Sequence, residues 1–337
     1  MRNRVLGIAA LALPALLAVL ARDTDARSPG VPRTKLRVAM QPYLGQAPLL
    51  IAEADSMFAQ EGLDVEFVRI ANSIEGVAPL LSGALDVLPS TASAGLLNSM
   101  ARGLAVRIVA DRGFLDPTGC TVMAIAVPPG RAAAAAASPH QVKHISMPRL
   151  HAMSYIMDRM LASVGLSVES LEASDIPPLP EAEALAAGKI DAALVGEPWL
   201  SRDIAGGKAE IWIRAERVLP NLQSGFIFFG PNLLTRNRDA GRRFMIAYRR
   251  GVRRYLEGKT SANIALLSKA TGETPELLGR ACWTPMHASG RIDLASVRDY
   301  QRWLRAKGLV RVAATPAQMW DSSFVVYADS VLGRRRG

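Results

Sequence analysis

A short phrase occurs twice in the chain and limits the folds that it can adopt. Glycine just past the last turn of a helix takes the left-handed conformation without a Cβ penalty, and the apolar residues after it are typical of a short buried strand. Each copy is therefore predicted to join a helix to a strand, and the repetition predicts two α/β lobes. The copies are Leu80-Leu81-Ser82-Gly83-Ala84-Leu85-Asp86 and Leu185-Ala186-Ala187-Gly188-Lys189-Ile190-Asp191.

The aspartate that ends each copy has two interpretations. Asp86 and Asp191 could bind a ligand, but an aspartate near the start of a strand more often pins a turn. Both are therefore predicted to be structural.

Strands alternate with helices around both copies of the phrase. Strands are predicted at 36–40, 64–70, 85–88 and 106–110, with a single helix at 48–60 between the first two, and the order restarts at 143–147. This alternation predicts a mostly parallel sheet in each lobe, flanked by helices and built with right-handed crossovers. The chain after residue 230 is predicted to be mainly helical and to pack back on the first lobe.

Length and composition allow two lobes. The chain has 337 residues, and the 50% that are hydrophobic are enough for a sizeable core. The predicted lobes are 35–119 plus 226–337 and 120–225. A hinge of two strands, at 121–127 and 224–229, is predicted to join them.

The first 26 residues have the pattern of a signal peptide. A basic start, Met1-Arg2-Asn3-Arg4, precedes an apolar run at 5–20 and small residues suited to cleavage. An uncleaved anchor is the alternative. No cysteine follows the run, so no lipoprotein attachment site is expected, and the mature protein is predicted to be periplasmic or otherwise exported.

Export affects how the two cysteines are interpreted. An oxidising compartment permits a disulfide between Cys120 and Cys282. Two buried free thiols are the alternative, and the sequence leaves both open.

The formal net charge of +10 is concentrated in a few places, above all in the arginines of residues 236–254. That stretch is predicted to be a helix with a basic face. A solvated face is one interpretation, and weak contact with anionic lipid headgroups or an acidic partner is another. Nucleic acid is not an expected partner, because the chain is exported and lacks stacking aromatics.

Several segments resemble a known group of proteins. They include Leu36-Arg37-Val38-Ala39-Met40-Gln41, the stretch at 52–65, the Ser-Gly-Ala-Leu-Asp phrase and Asp191-Ala192-Ala193-Leu194-Val195-Gly196-Glu197-Pro198-Trp199. The chain resembles the taurine, aliphatic sulfonate and nitrate group of ABC-transporter substrate-binding proteins, which includes binders of pyrimidine precursors. The resemblance implies a type II periplasmic-binding-protein fold that closes on a small molecule and delivers it to a membrane permease driven by an ATPase.

Ligands of open α/β sheets bind beyond the carboxyl ends of the strands, and this rule selects four loops. The first loop, with Gln41 and Tyr43, is expected to provide an aromatic or amide contact, and packing at the lobe surface is the alternative. The second, with Ser90, Thr91 and Ser93, is expected to bind a polar head group, and helix N-capping is the alternative. The third, with Arg149 and His151, is expected to contact an anion or else to point to solvent.

The fourth loop carries Glu197 and Trp199. A hydrogen-bond acceptor with an aromatic cover is expected there, and an interlobe salt bridge with a core tryptophan is the alternative. Asn72 is a less central candidate.

Catalysis is the competing class of function. Pyrimidine synthases and menaquinone-pathway lyases share the implied fold, but the synthase needs a cysteine-rich iron site and this chain has only two cysteines. The four histidines form no catalytic or metal-binding pattern. We therefore predict a monomeric binding protein with no catalytic residues, metal or cofactor. A ligand-presenting sensor remains an alternative, and the ligand stays open between sulfonate, carboxylate, nitrate-like anion and heterocycle.

Overall fold

The computed structural model describes residues 33–41, 43–147 and 151–334, apart from the side chains of His151 and Arg334. The predicted signal peptide and Arg149 lie outside these residues. The described part carries ten strands in two five-stranded sheets.

The first sheet has the strand order β2-β1-β3-β10-β4, and the second has β7-β6-β8-β5-β9. In each sheet four strands point one way and one strand, β10 or β5, runs antiparallel to both of its neighbours. The predicted mostly parallel sheets are confirmed, and we call the parts built on them the first and second lobes. The strands are β1 (Thr34–Met40), β2 (Leu63–Arg69), β3 (Val87–Ser90), β4 (Arg107–Phe114), β5 (Met123–Val127), β6 (His144–Ser146), β7 (Glu172–Ser174), β8 (Ala192–Gly196), β9 (Glu210–Arg214) and β10 (Gln223–Phe229).

Fifteen α-helices are present in the described residues, most of them flanking the sheets. They are α1 (Ala47–Ala54), α2 (Met57–Gln60), α3 (Val77–Ser82), α4 (Ala94–Ala101), α5 (Ala132–Ala137), α6 (His151–Ala162), α7 (Pro178–Ala186), α8 (Trp199–Ala205), α9 (Ala215–Val218), α10 (Arg238–Tyr255), α11 (Ser261–Thr271), α12 (Pro275–Arg280), α13 (Leu294–Ala306), α14 (Pro316–Met319) and α15 (Ser323–Arg334). A single helix was predicted over 48–60, but Ser56 is left-handed, with φ of 54°, and separates α1 from α2.

The repeated phrase forms the same joint in both lobes. Gly83 and Gly188 are left-handed, with φ of +81° and +63°. The Asp86 carboxylate accepts from the backbone N–H of Arg37, and its own N–H donates to the Arg37 carbonyl.

The second copy repeats these contacts one lobe later. Asp191 makes the same reciprocal pair with His144 and accepts a further bond from Lys143 N–H. Both aspartates therefore tie a strand start to the first parallel strand of their lobe, which confirms the structural interpretation.

The chain passes between the sheets twice, after β4 and before β10. The two crossing segments pair side by side, since Leu115 N–H donates to the Leu222 carbonyl and Asn221 N–H donates to the Leu115 carbonyl. These bonds form a hinge of two paired segments. The hinge predicted at 121–127 and 224–229 is wrong in position, because β5 pairs with β8 and β9 in the second sheet and β10 pairs with β3 and β4 in the first.

The C-terminal helices pack on the first lobe as predicted, with α10 and α15 covering one face of its sheet. Helix α13 also contacts the second lobe, because Asp299 accepts from the Tyr155 hydroxyl at 2.6 Å and Trp303 Nε1 donates to Asp158 at 2.7 Å. The C-terminal region therefore holds both lobes.

The arginines of α10 are largely engaged within the protein. Arg249 is 2% exposed and binds Asp329 and the Ser289 carbonyl. Arg243 donates to the carbonyls of Glu61 and Gly62, and Arg238 pairs with Asp321. Arg249 is therefore buried and not part of a solvated face, whereas Arg238 and Arg243 stay partly exposed while they link α10 to neighbouring segments.

Candidate functional site

The loops at the carboxyl ends of β1 and β8 meet between the two lobes. The rings of Tyr43 and Trp199 have centroids 5.4 Å apart and lie edge to face, at 87°. Aromatic pairs favour this geometry, because the positive edge of one ring faces the negative face of the other. The structure thus brings together two of the predicted site residues, one from each lobe.

Glu197, two residues before Trp199, also contacts a segment outside its own lobe. Its carboxylate accepts from the Ser201 backbone N–H and hydroxyl and from the Cys282 backbone N–H, at 3.1, 2.6 and 2.8 Å. Burial raises the pKa of the Glu197 carboxyl, and these hydrogen bonds oppose the rise. The acid makes hydrogen bonds to the chain itself rather than the interlobe salt bridge that was the alternative.

Cys282 is tied to the hinge by a second link. It is bonded to Cys120, which lies in the first crossing segment, with an S–S distance of 2.01 Å and a Cα–Cα distance of 5.6 Å. The question left open by the sequence is therefore answered in favour of the disulfide.

The loop after β3 carries three candidate hydroxyl residues, and two of them make hydrogen bonds within the same segment. Ser90 is buried and its hydroxyl donates to the Thr91 carbonyl, while Ser93 caps α4 by accepting from Leu96 N–H. Thr91 is half-buried, and its hydroxyl has no hydrogen bond among the described residues.

Gln41, Asn72 and His151, the other described candidates, lie in three separate segments. Gln41 is buried, and its N–H donates to Gln46 Oε1. Asn72 closes a turn, since its side chain accepts from Ile74 N–H and Glu75 N–H. His151 begins α6, but its side chain is not among the described ones.

A small pocket lies between the lobes on the α6 side. Ala92 borders it from the first lobe, Tyr155 from the second, and Phe226 and Ser224 from the start of β10. Tyr300 of α13 closes another side and donates its hydroxyl to the Ala92 carbonyl. None of the predicted site residues that the structure describes lines this pocket, and Tyr155 and Tyr300 were not predicted from the sequence to lie between the lobes.

In β4, a buried carboxylate accepts several hydrogen bonds. Asp111 is 1% exposed, and its carboxylate accepts from Gly113 N–H, the Gln223 amide and the backbone N–H of His287. The His287 ring lies 3.3 Å from the same carboxylate, which raises the pKa of the imidazole. The cluster joins β4, β10 and the C-terminal region, and it was not predicted from the sequence.

The third cleft loop follows β6, whose last residue contacts a second buried acid. The Ser146 hydroxyl donates to Glu181 at 2.5 Å, and burial raises the pKa of the Glu181 carboxyl to about 7. Since the ordinary value is 4.5, the folded protein holds this proton at a pH where the unfolded chain releases it.

Replacing Glu181 with glutamine is expected to flatten the pH dependence of stability. In the wild type the free energy of unfolding falls as pH rises from about 4.5 to about 7, because the unfolded chain ionises first. A unit of pKa corresponds to about 1.4 kcal/mol, so Glu181→Gln should gain up to about 3 kcal/mol at pH 8. Urea unfolding at pH 5 and pH 8 measures this. The control is Glu183→Gln, at an exposed acid, and an equal gain there would contradict the expectation.

A scan of family models matches residues 30–221, more than half of the chain, to the NMT1-like family. The chain belongs to the NMT1-like family. A search of curated proteins finds no match to the sequence of this family member.

Solved structures show the fold of this NMT1-like protein. It is similar to the alkanesulfonate-binding protein SsuA from Xanthomonas axonopodis pv. citri bound to MOPS, with 20% identity, 86% of this chain and 99% of that chain covered, and a TM-score of 0.68. The periplasmic nitrate-binding protein NrtA from Synechocystis PCC 6803 has 14% identity, 89% of each chain covered and a TM-score of 0.67.

An enzyme shares the same fold. The desulfurization enzyme DSZB has 15% identity, 90% of this chain and 100% of that chain covered, and a TM-score of 0.65. The periplasmic-binding-protein fold is thus shown for the NMT1-like chain, and fold by itself does not decide between binding and catalysis.

The described residues contain neither a metal-binding cluster nor a membrane-spanning helix. No group of three or more acidic, histidine or cysteine side chains is placed to hold a metal ion there. Within the same residues, no helix is long and apolar enough to cross a membrane.

Proposed function

We propose that this protein is the solute-binding component of an ABC importer, and that it captures a small organic molecule with an anionic or polar head between its lobes. The observation that carries the proposal is the contact between Tyr43 and Trp199, two loop aromatics from opposite lobes. Aromatic side chains at a lobe interface can cover a ligand with little loss of their own conformational entropy.

The mechanism that we propose is reversible capture. The lobes formed by 35–119 with 226–337 and by 120–225 are the two bodies, and the paired segments around Leu115 and Leu222 are the hinge. A ligand raises the population of the closed state only if it binds that state more tightly than the open one. Contacts from both lobes provide this difference in affinity.

The cellular setting follows from the same proposal. The protein is a periplasmic or otherwise exported monomer without a cofactor, and a membrane permease with its ATPase receives the ligand. The basic residues at 236–254 are not needed as a membrane contact, since Arg238, Arg243 and Arg249 bind within the protein.

Binding rather than catalysis is proposed for the cleft. Three polar groups near the contact between the lobes already make hydrogen bonds within the protein: Glu197 accepts three, the Tyr155 hydroxyl donates to Asp299, and the Tyr300 hydroxyl donates to the Ala92 carbonyl. Turnover of a bound compound, followed by mass spectrometry of the products, would favour the enzyme alternative.

Native mass spectrometry of the gently purified mature protein tests the proposal. We expect one small molecule per chain, lost on denaturation and able to raise the melting temperature when added back. If the molecule is lost during purification, sulfonates, carboxylates, nitrate and pyrimidines are added one at a time and tested for binding. A folded protein that binds none of these would contradict the proposal.

Replacing Trp199 with alanine should weaken binding of that molecule about 10-fold, because an aromatic contact and its buried area contribute about 1.4 kcal/mol. Isothermal titration calorimetry measures the change. Trp199→Phe keeps a ring beside Tyr43 and is the matched control, with a smaller loss expected. Unchanged affinity in Trp199→Ala would show that the contact between the lobes does not take part in binding.

A further inference from the structure

Arg112 lies in β4, close to its carboxyl end, and its guanidinium forms no ion pair with the described residues. Among the described residues it makes no hydrogen bond, and no carboxylate lies within 4.0 Å of its nitrogens. Its Nε is buried and without a partner. A buried donor left unpaired costs about 1–3 kcal/mol, and more when it is charged, so the arrangement needs a compensating role.

The surrounding backbone makes room for this side chain. A Cβ on Gly45 would lie 2.6 Å from Arg112 Nη1, and a Cβ on Gly225 would lie 3.0 Å from Nη2. Neither glycine has a positive φ, so conformation does not require glycine at these positions. Their lack of a side chain instead leaves the space that the guanidinium occupies.

The local electrostatics favour an incoming anion. The neighbouring carboxylate of Asp111 is already occupied by Gly113, Gln223 and His287. Burial lowers the pKa of Arg112, while Tyr248, Asp111 and Tyr43 oppose the change. Gln46, next to Gly45, also keeps a buried donor, Nε2, without a partner.

We propose that Arg112 binds the oxyanion head group, sulfonate or carboxylate, of the ligand on the first-lobe side of the cleft. The inference rests on the proposed function and specifies the charge that the site selects. A planar guanidinium presents paired donors that match two oxygens of such a head group.

The position of Arg112 would couple head-group binding to closure. Gly45, where a Cβ would lie 2.6 Å from Arg112 Nη1, is two residues from Tyr43, and the Tyr43 ring contacts Trp199 of the second lobe. An anion held by Arg112 therefore lies next to the pair of aromatic rings that joins the lobes, and a neutral analogue leaves the guanidinium unpaired.

Thermal melting with matched probes tests the inference at constant ionic strength. The pairs are benzenesulfonate with benzenesulfonamide, butanesulfonate with butanesulfonamide, and benzoate with benzamide. The wild type should be stabilised by at least one anion more than by its neutral partner, and Arg112→Gln should abolish that difference. Arg107→Gln in the same strand is the charge-matched control, since Arg107 donates to the carbonyls of Leu104 and Val106.

A second variant tests position without changing charge. Gly45→Ala places a methyl group 2.6 Å from Nη1, so the guanidinium must shift and the anion effect should fall. Gly95→Ala is its control, because a Cβ there would meet nothing closer than 3.8 Å. Without any probe, Arg112→Met should melt at or above the wild-type temperature, whereas a fall of several degrees would show that the guanidinium supports the fold and would overturn the inference.

The outcomes separate the inference from the proposed function. If no anion stabilises the wild type more than its neutral partner, or if Arg112→Gln keeps the preference, the inference is wrong. The proposed function would still stand if a neutral compound bound between the lobes. Failure of every anionic and neutral compound to bind would contradict both.

Discussion

Replacing Cys120 and Cys282 together with alanine is expected to lower the free energy of unfolding by about 2–5 kcal/mol. The two residues are 162 positions apart in sequence, and a crosslink that closes so long a loop removes much of the entropy of the unfolded chain. The bond also holds the first crossing segment against the segment whose Cys282 N–H donates to Glu197. We therefore expect weaker ligand binding along with the loss of stability.

Guanidinium chloride unfolding with and without reductant measures the effect. Reduced wild type should unfold at the same midpoint as the double variant, and the variant should not respond to reductant. Equal midpoints for oxidised wild type and variant would contradict the expected contribution of the disulfide.

Replacing Gly251 with alanine is expected to destabilise the first lobe by about 3 kcal/mol or more, the upper range for overpacking. Gly251 lies on α10 where that helix crosses α1, and a Cβ there would lie 2.2 Å from the Pro48 carbonyl oxygen and 3.1 Å from Ala52 Cβ. Backbone cannot move aside as a flexible side chain can, so the helices must separate. Since the Tyr43 loop leads into α1, binding should weaken as well.

Gly279 in α12 provides the control for this substitution. A Cβ at Gly279 meets nothing within 4 Å, and alanine favours a helix over glycine by about 1 kcal/mol. Gly279→Ala should therefore leave stability unchanged or slightly higher. A loss in Gly251→Ala no larger than in the control would show that the helix crossing tolerates the added methyl group.

The sequence predicted those features of the fold that arise from local chemistry. The joints at Gly83 and Gly188 depend on a left-handed residue and a nearby aspartate, and both are visible in seven residues of sequence. The alternation of strands and helices likewise predicted two mostly parallel sheets. The break between α1 and α2 was missed, because the left-handed Ser56 leaves no glycine or proline signal.

The site was predicted less well, because much of it depends on residues distant in sequence. Tyr43 and Trp199 could be selected as loop residues after strands, but their contact requires both lobes to fold. Arg112 lies within a strand and carries no loop signal, and its lack of a partner is a property of the folded chain alone. The partners of Asp111 and the arginine contacts of α10 have the same long-range origin.

A crystal structure of the protein with the molecule identified by native mass spectrometry would show where the ligand binds. We expect one ligand enclosed between the lobes and contacting the Tyr43 loop of the first and the Trp199 loop of the second. A ligand that touches one lobe only, or that lies away from these loops, would contradict this expectation.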